Sequence, residues 1–229
     1  MVDCNSGASI AQRIATLRQR VPASVRLIAV SKYISPEMMR QAYAAGIRDF
    51  GENRIQEAQA KRGELADLTD ITWHFIGHLQ ANKVRAALET FDWIHTVDSL
   101  KLAQRLQALI PAVQNSPKLL LQVKLRPDPQ KYGWTISELT AALPELDQLT
   151  ELNIQGLMTI LPLGLTPAEQ LLVFQELHNL AETWQHQAWQ HLSFQELSMG
   201  MSSDYPFALQ AQTTMIRLGQ VIFGPRSIP

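Results

Sequence analysis

Short apolar runs alternate along this chain with stretches in which apolar residues recur at helical spacing. Ile10, Ile14 and Leu17 predict an N-terminal helix closed by Pro22. The runs at 26–31, 49–53, 72–77, 93–97, 119–125, 154–160, 194–199 and 215–223 predict strands, and between them lie helices near 36–46, 54–65, 81–88, 99–110, 137–149, 167–189 and 204–213. Several helix starts are written locally. Ser35 is a good N-cap, Pro36 suits the first turn, and Asp98-Ser99 forms another cap. Strict alternation implies a parallel sheet, and strands apolar throughout imply that both faces are covered. The prediction is an α/β chain: one (β/α)8 TIM-type barrel over residues 1–229 with an extra N-terminal helix. An open, doubly wound sheet is the alternative.

Composition narrows the partners. The chain is 46% hydrophobic and 18% charged, with 20 basic against 21 acidic residues. That balance gives no broad cationic surface for nucleic acid or anionic lipid. Cys4 is the one cysteine, so no internal disulfide forms, and it reads as a free thiol near the terminus. The absence of an apolar leader and of a run near the ~20 residues that span a bilayer points to a cytoplasmic protein.

In parallel barrels, functional groups collect where strands end and loops begin. Lys32 directly follows the first strand, where desolvation would favour the neutral amine that attacks a carbonyl; the alternative is a solvated loop lysine. The stretch 198–204 (SMGMSSD) follows the seventh strand. Gly200 allows close backbone approach, and Ser202 and Ser203 offer donors to an anion; the alternative is a plain N-cap. Arg217, Gly219 and Gln220 lie on the last run. The loops after the seventh and eighth strands are a common barrel phosphate site, and the two segments fall there. His74 and His78 have the spacing of a helical metal pair but sit on a strand, and they read as structural. His178, His186 and His191 read as solvated, and Trp184 and Trp189 as packing residues.

Together these motifs make a specific pattern: Ala29-Val30-Ser31-Lys32, Phe50-Gly51-Glu52-Asn53-Arg54 with Gln56-Glu57, and Trp73-His74-Phe75-Ile76-Gly77 with Leu79-Gln80-Ala81-Asn82-Lys83. Gly156-Leu157-Met158, the 198–204 stretch, Arg217-Leu218-Gly219 and Ile222-Phe223-Gly224 complete it. The chain resembles, over nearly its whole length, the pyridoxal phosphate homeostasis proteins (the YggS/PROSC family). The resemblance implies a barrel like the alanine racemase N-terminal domain and pyridoxal 5′-phosphate as cofactor, held as a Schiff base on Lys32. It implies phosphate contacts from Ser202, Ser203 and the backbone at Gly219 and Gln220, Arg217 facing the pyridine nitrogen, and Asn53 in the site. It also implies a role in intracellular cofactor balance, affecting amino-acid and keto-acid levels, with pyridoxal-phosphate-dependent apo-enzymes as recipients. The expected state is a monomeric, non-catalytic binder. Two departures stand out: His78 replaces an expected proline, and Lys131-Tyr132-Gly133-Trp134 replaces a Lys-Ser-Gly-hydrophobic run.

Two other readings share the scaffold. A racemase would need a second domain, and the chain ends at Pro229, soon after its last strand. A cofactor-free barrel aldolase would use Lys32 with a sugar-phosphate site.

Overall fold

The fold comes from a computed structural model that describes residues 8–128 and 130–225. Cys4, Pro129 and the tail at 228–229, with the readings attached to them, lie outside the described residues. Among those residues nine strands occur: β1 (Arg26–Val30), β2 (Asp49–Glu52), β3 (Thr72–Phe75), β4 (Trp93–Val97), β5 (Lys118–Lys124), β6 (Trp134–Thr135), β7 (Asn153–Met158), β8 (Leu192–Ser198) and β9 (Met215–Leu218). All except β6 join in one closed parallel ring, because β1 pairs with β9 and β4 with β5. This is the barrel the alternation predicts, and ring closure excludes the open sheet.

The helices α1 (Ile10–Arg18), α2 (Pro36–Ala44), α3 (Ile55–Glu64), α4 (Val84–Thr90), α5 (Leu100–Leu109), α6 (Ile136–Leu146), α7 (Pro167–Gln185), α8 (Tyr205–Gln210) and α9 (Gln220–Phe223) accompany the strands. Their starts follow local chemistry. Ser9 with Gln12, Thr135 with Glu138 and Thr166 with Glu169 form capping boxes, and Ser35 caps α2 ahead of Pro36. No helix among the described residues is long and apolar enough to cross a membrane.

Three expectations need correction. The run 215–223 is not one strand. β9 stops at Leu218, Gly219 leaves the extended region (φ −110°, ψ −77°), and Phe223 N–H turns back onto Gly219 O at 2.9 Å. A buried apolar run does not by itself distinguish strand from helix; here α9 buries Ile222 and Phe223 and packs against α1. α7 ends at Gln185 rather than 189, because Trp189 Nε1 donates to Trp184 O at 2.8 Å and turns the chain back. His178 is half-buried beside Glu182 rather than solvated. β6, two residues paired with the end of β5, is too short to show in a hydrophobic pattern.

Strand alternation sorts the interior into two compartments. Leu27, Ala29, Trp73, Phe75, Ile216 and Leu218 point outward into the large core beneath the helices. Ile28, Trp93, Leu120, Met158 and Met215 fill the barrel axis, with Ile160 packed on them. Polar residues run through that same axis as one chain. Arg26 Nη1 meets Asp49 Oδ1 at 2.9 Å, and Asp49 Oδ1 meets His74 Nε2 at 2.9 Å. His74 Nδ1 meets His95 Nε2 at 2.9 Å, His95 Nδ1 meets Ser198 Oγ at 2.8 Å, and Arg217 Nη1 donates to Ser198 Oγ at 2.6 Å. His74, His95, Ser198 and Arg217 are all buried.

Two predictions follow from this packing. Gly156 on β7 lies so close to β8 that a Cβ there would sit 1.8 Å from Glu196 O. Gly156→Ala must push the two strands apart and should destabilise by about 3 kcal/mol. Gly63→Ala in α3, where a Cβ meets nothing within 4 Å, should stabilise by about 0.5–1 kcal/mol. Urea midpoints check both, and equal effects would contradict the packing.

A third prediction concerns acid. Burial holds both His74 and His95 below the ordinary value of 6.5, His95 well below, with the neighbouring imidazole of His74 and the cations Arg217 and Arg26 adding to the effect. The native protein leaves both neutral, whereas the unfolded chain takes up two protons as pH falls through 6.5. Their contribution to stability is complete above that value and is lost below it, at up to ~2.7 kcal/mol per pH unit. Glu52, raised by burial, has the opposite slope. Denaturation midpoints should fall with pH below about 6.5, and His95→Gln should flatten the profile.

Candidate functional site

At the C-terminal mouth of the ring lies a pocket of about 350 Å³, within the ~300–1,000 Å³ usual for small ligands. Lys32, Ser202, Ser203, Arg217, Gly219 and Gln220 line it together with Val30, Ile76, Ile160 and Met201. Six of the seven residues singled out from the sequence thus share one cavity. The seventh, Asn53, directly follows β2 as Lys32 nearly follows β1. Its Oδ1 is buried with no protein partner, and the Oε2 of neighbouring Glu52 is in the same state.

Lys32 is presented by a clamp. Buried Lys61, on α3, donates to Ser31 O at 2.7 Å, Glu52 Oε1 at 2.8 Å and Glu57 Oε1 at 2.7 Å, which occupies all three of its ammonium hydrogens. Ser31 Oγ donates to Glu52 Oε1 at 2.7 Å, and Tyr33 N–H donates to Glu57 Oε1 at 2.6 Å. The residues on both sides of Lys32 are therefore fixed, and Tyr33 is held in the left-handed region at φ 63°. Burial pushes the Glu52 carboxyl up despite Lys61. At half-exposed Glu57 the hydrogen bonds from Lys61 and Tyr33 overcome burial, and the net shift is down.

The opposite wall is built by two short segments. Gly200, at φ 93°, sits where a Cβ would lie 2.7 Å from that of Ala208, so the turn after β8 closes only on glycine. Asp204 Oδ1 accepts from Met201 N–H at 2.6 Å, which shapes the turn carrying Ser202 and Ser203. Neither serine caps α8: Asp204 holds the N-cap position, and no side chain caps the helix. Beside this turn, α9 starts at Gln220; Ile222 and Phe223 N–H turn back onto Gly219 O, whereas the N–H groups of Gln220 and Val221 precede any carbonyl the helix can offer them.

Arg217 forms the floor. Its Nη2 donates to Thr159 O at 2.8 Å, besides the Ser198 bond. Burial pushes its guanidinium down to about 10, Asp204 opposing, so it stays protonated at neutral pH.

The two departures from the expected motif meet at the rim. His78 and Tyr132 stack with centroids 3.5 Å apart and planes 10° from parallel, and His78 Nδ1 lies 3.1 Å from Asp98 Oδ2. His74 and His78 thus serve different neighbours. Lys131 Nζ donates to Leu161 O, tying the Tyr132 loop to the loop after β7.

Sequence reasoning missed Lys61 and the Asp49-His74-His95-Ser198 chain as supports. Glu57 and Lys61 stand at helical i,i+4 spacing, and His74 and His95 interrupt otherwise apolar strands. Those signals were present, but only the folded ring joins them.

Comparison with known proteins agrees with this architecture. The alanine racemase N-terminal domain family matches residues 6–227. The pyridoxal phosphate homeostasis protein of Synechocystis sp. is 53% identical over 93% of this chain and 95% of its own, and that of Pseudomonas aeruginosa is 41% identical over 96% and 94%. PipY of Synechococcus elongatus, solved with PLP bound, superposes with a TM-score of 0.89 at 53% identity, covering 94% of this chain and 100% of that one. An alanine racemase of Clostridium difficile, 11% identical with a TM-score of 0.74, shares the fold over 96% of this chain and 57% of its own. The chain belongs to the pyridoxal phosphate homeostasis protein family, built on the alanine racemase N-terminal domain.

Proposed function

We propose that this protein binds pyridoxal 5′-phosphate in the mouth of its barrel and serves the intracellular balance of that cofactor as a carrier rather than a catalyst. The observation that carries the reading is the convergence of Lys32, Ser202, Gly219, Gln220 and Arg217 on one pocket. The ligand's parts match what the pocket offers. Its aldehyde needs an amine, and Lys32 is the amine presented there. Its phosphate needs several donors, and Ser202, Ser203 and the first-turn N–H groups at Gly219 and Gln220 are donors. Its ring nitrogen needs a polar partner, and Arg217 has N–H groups beyond the two used by Ser198 and Thr159. An arginine can only donate, so it favours an unprotonated ring nitrogen. Asn53 Oδ1 is a buried acceptor for a ligand hydroxyl.

Bound there, pyridoxal phosphate supplies an electrophilic aldehyde on a ring that withdraws electrons. The chain's own residues bind and orient it. The Lys61 clamp aims Lys32, the β8 and β9 loops grip the anion, and Arg217 keeps the ring nitrogen a poor proton carrier. Among the residues lining the pocket, Lys32 and Arg217 are the titratable ones. A turnover cycle needs a second acid or base near the reacting carbon, which supports storage and delivery to apo-enzymes over racemisation.

Lys32→Ala should abolish covalent retention. Borohydride reduction followed by intact mass should show the cofactor adduct on wild type and none on the variant. Full occupancy of the variant would move the anchor to another lysine.

Ser202→Ala removes one hydrogen bond to a charged group, worth ~1.5–3 kcal/mol, so the dissociation constant should rise about ten-fold or more in an equilibrium titration. Unchanged affinity would take Ser202 out of the phosphate site.

A further inference from the structure

The ends of the interior chain fix the direction of every hydrogen bond in it. Arg217 at one end can only donate, and the Asp49 carboxylate at the other can only accept. His74 Nε2, 2.9 Å from Asp49 Oδ1, must therefore donate, and in a neutral ring its Nδ1 then accepts from His95 Nε2. Ser198 Oγ, 2.6 Å from Arg217 Nη1 and 2.8 Å from His95 Nδ1, accepts from the arginine and is left to give its one proton to His95. His95 Nδ1 is then an acceptor, so its proton sits on Nε2 and points at His74 Nδ1, 2.9 Å away. His74 in turn carries its proton on Nε2 and donates to Asp49 Oδ1 at 2.9 Å.

Both rings are thereby neutral Nε2–H tautomers. Any other assignment sets two donors or two acceptors face to face inside the barrel, or buries a further cation there, which burial disfavours. Burial, which holds both imidazoles below their ordinary value, works in the same sense. His74 is also held against Trp93, with centroids 5.9 Å apart and planes 13° from parallel. Arg26 pairs with the far carboxylate at 2.9 Å and pins its position.

The chain orients and does not conduct. Moving its protons one step along would neutralise Arg217, whose guanidinium holds its proton up to about 10. It would also protonate Asp49. Burial alone would raise that carboxyl, but His74 and Arg26 outweigh burial and hold it below its ordinary value.

We propose that Asp49 is a positioning residue for Arg217. Acting through His74, His95 and Ser198, its carboxylate sets the polarity of the whole chain, turns the Ser198 proton to His95 and its lone pairs to Arg217, and so holds the guanidinium in place with its remaining N–H groups towards the pocket. The site thereby selects aromatic ligands that present a neutral acceptor atom where Arg217 meets the ring. The ligand half of this statement rests on the pyridoxal phosphate reading; the tautomers do not.

Nitrogen-15 NMR of the ligand-free protein tests the tautomers at neutral pH. Both His74 and His95 should be neutral and Nε2-protonated, and an Nδ1–H or charged ring at either position overturns the proposal. The binding probes are pyridoxal phosphate and its 1-deaza analogue, in which a CH replaces the ring nitrogen. Wild type should prefer pyridoxal phosphate by about ten-fold or more, since the analogue leaves a buried charged donor unmet. Asp49→Asn, which keeps an acceptor oxygen, should retain both tautomers and the preference. Asp49→Ala should change the tautomer of His95, which Asp49 does not touch, and bring the preference towards one. A purely structural loss would weaken both probes alike and leave the ratio unmoved, and that result in a folded variant overturns the proposal. Should Asp49→Ala fail to fold, His95→Gln, with one donor and one acceptor in line, should keep the preference and His95→Leu should lose it; equal ratios in the two overturn the proposal. Failure of wild type to bind pyridoxal phosphate overturns the selection claim along with the cofactor reading, and the ligand-free tautomers report separately.

Discussion

The pairing of the first strand with the last is the constraint on which the rest depends. β1 lies parallel to β9 with Ile28 opposite Arg217 and Ala29 opposite Leu218. That register brings the end of β1, which carries Lys32, beside the turn from β9 into α9. It unites two segments that the chain keeps nearly its whole length apart. Without closure, Lys32 would sit on a sheet edge and Arg217 on the opposite edge. A one-residue slip would also turn Arg217 outward into the apolar layer beneath the helices. Closure also makes the interior dry, which gives each polar contact within it more weight.

Two buried polar systems exploit that interior, and each is held together by contacts between side chains. The Lys61 clamp holds two carboxylates with one ammonium, so its value depends on all three groups being present. Removing one member of such a set is far more damaging than its net contribution suggests, because the partners stay buried and unpaired. The axial chain from Asp49 to Arg217 follows the same logic with neutral links. The clamp acts on the backbone around Lys32, and the chain acts on the guanidinium across the pocket. One fixes the amine, the other the donor to the ring, and together they leave the ligand little choice of orientation.

At the rim, the structure turns two separate oddities of sequence into one feature. His78 and Tyr132 each depart from the expected motif, and they stack on each other while Asp98 holds the histidine. A proline and a serine could make neither contact. The loop bearing Tyr132 is also tied down through Lys131 and Leu161. The mouth of the barrel is thus edged by an aromatic pair specific to this chain's residues.

The sequence by itself determined the element order, the barrel, and the residues that meet in the pocket. Strand and helix periods, capping residues and apolar runs are local properties, and they act over a few residues at a time. Lys32, Ser202 and Arg217 were legible because each sits at a strand end within a recognisable motif. The run 215–223 was misread, since a buried helical turn and a buried strand look alike until Gly219 is seen to leave the extended region. Only the tertiary structure decided that Lys61 clamps Ser31 and Glu57, that His78 meets Tyr132, and that Asp49 reaches Arg217 through two histidines and a serine. Each of these depends on which strands are neighbours and in what register. That is set by closing a ring across long sequence separations, which no local pattern encodes.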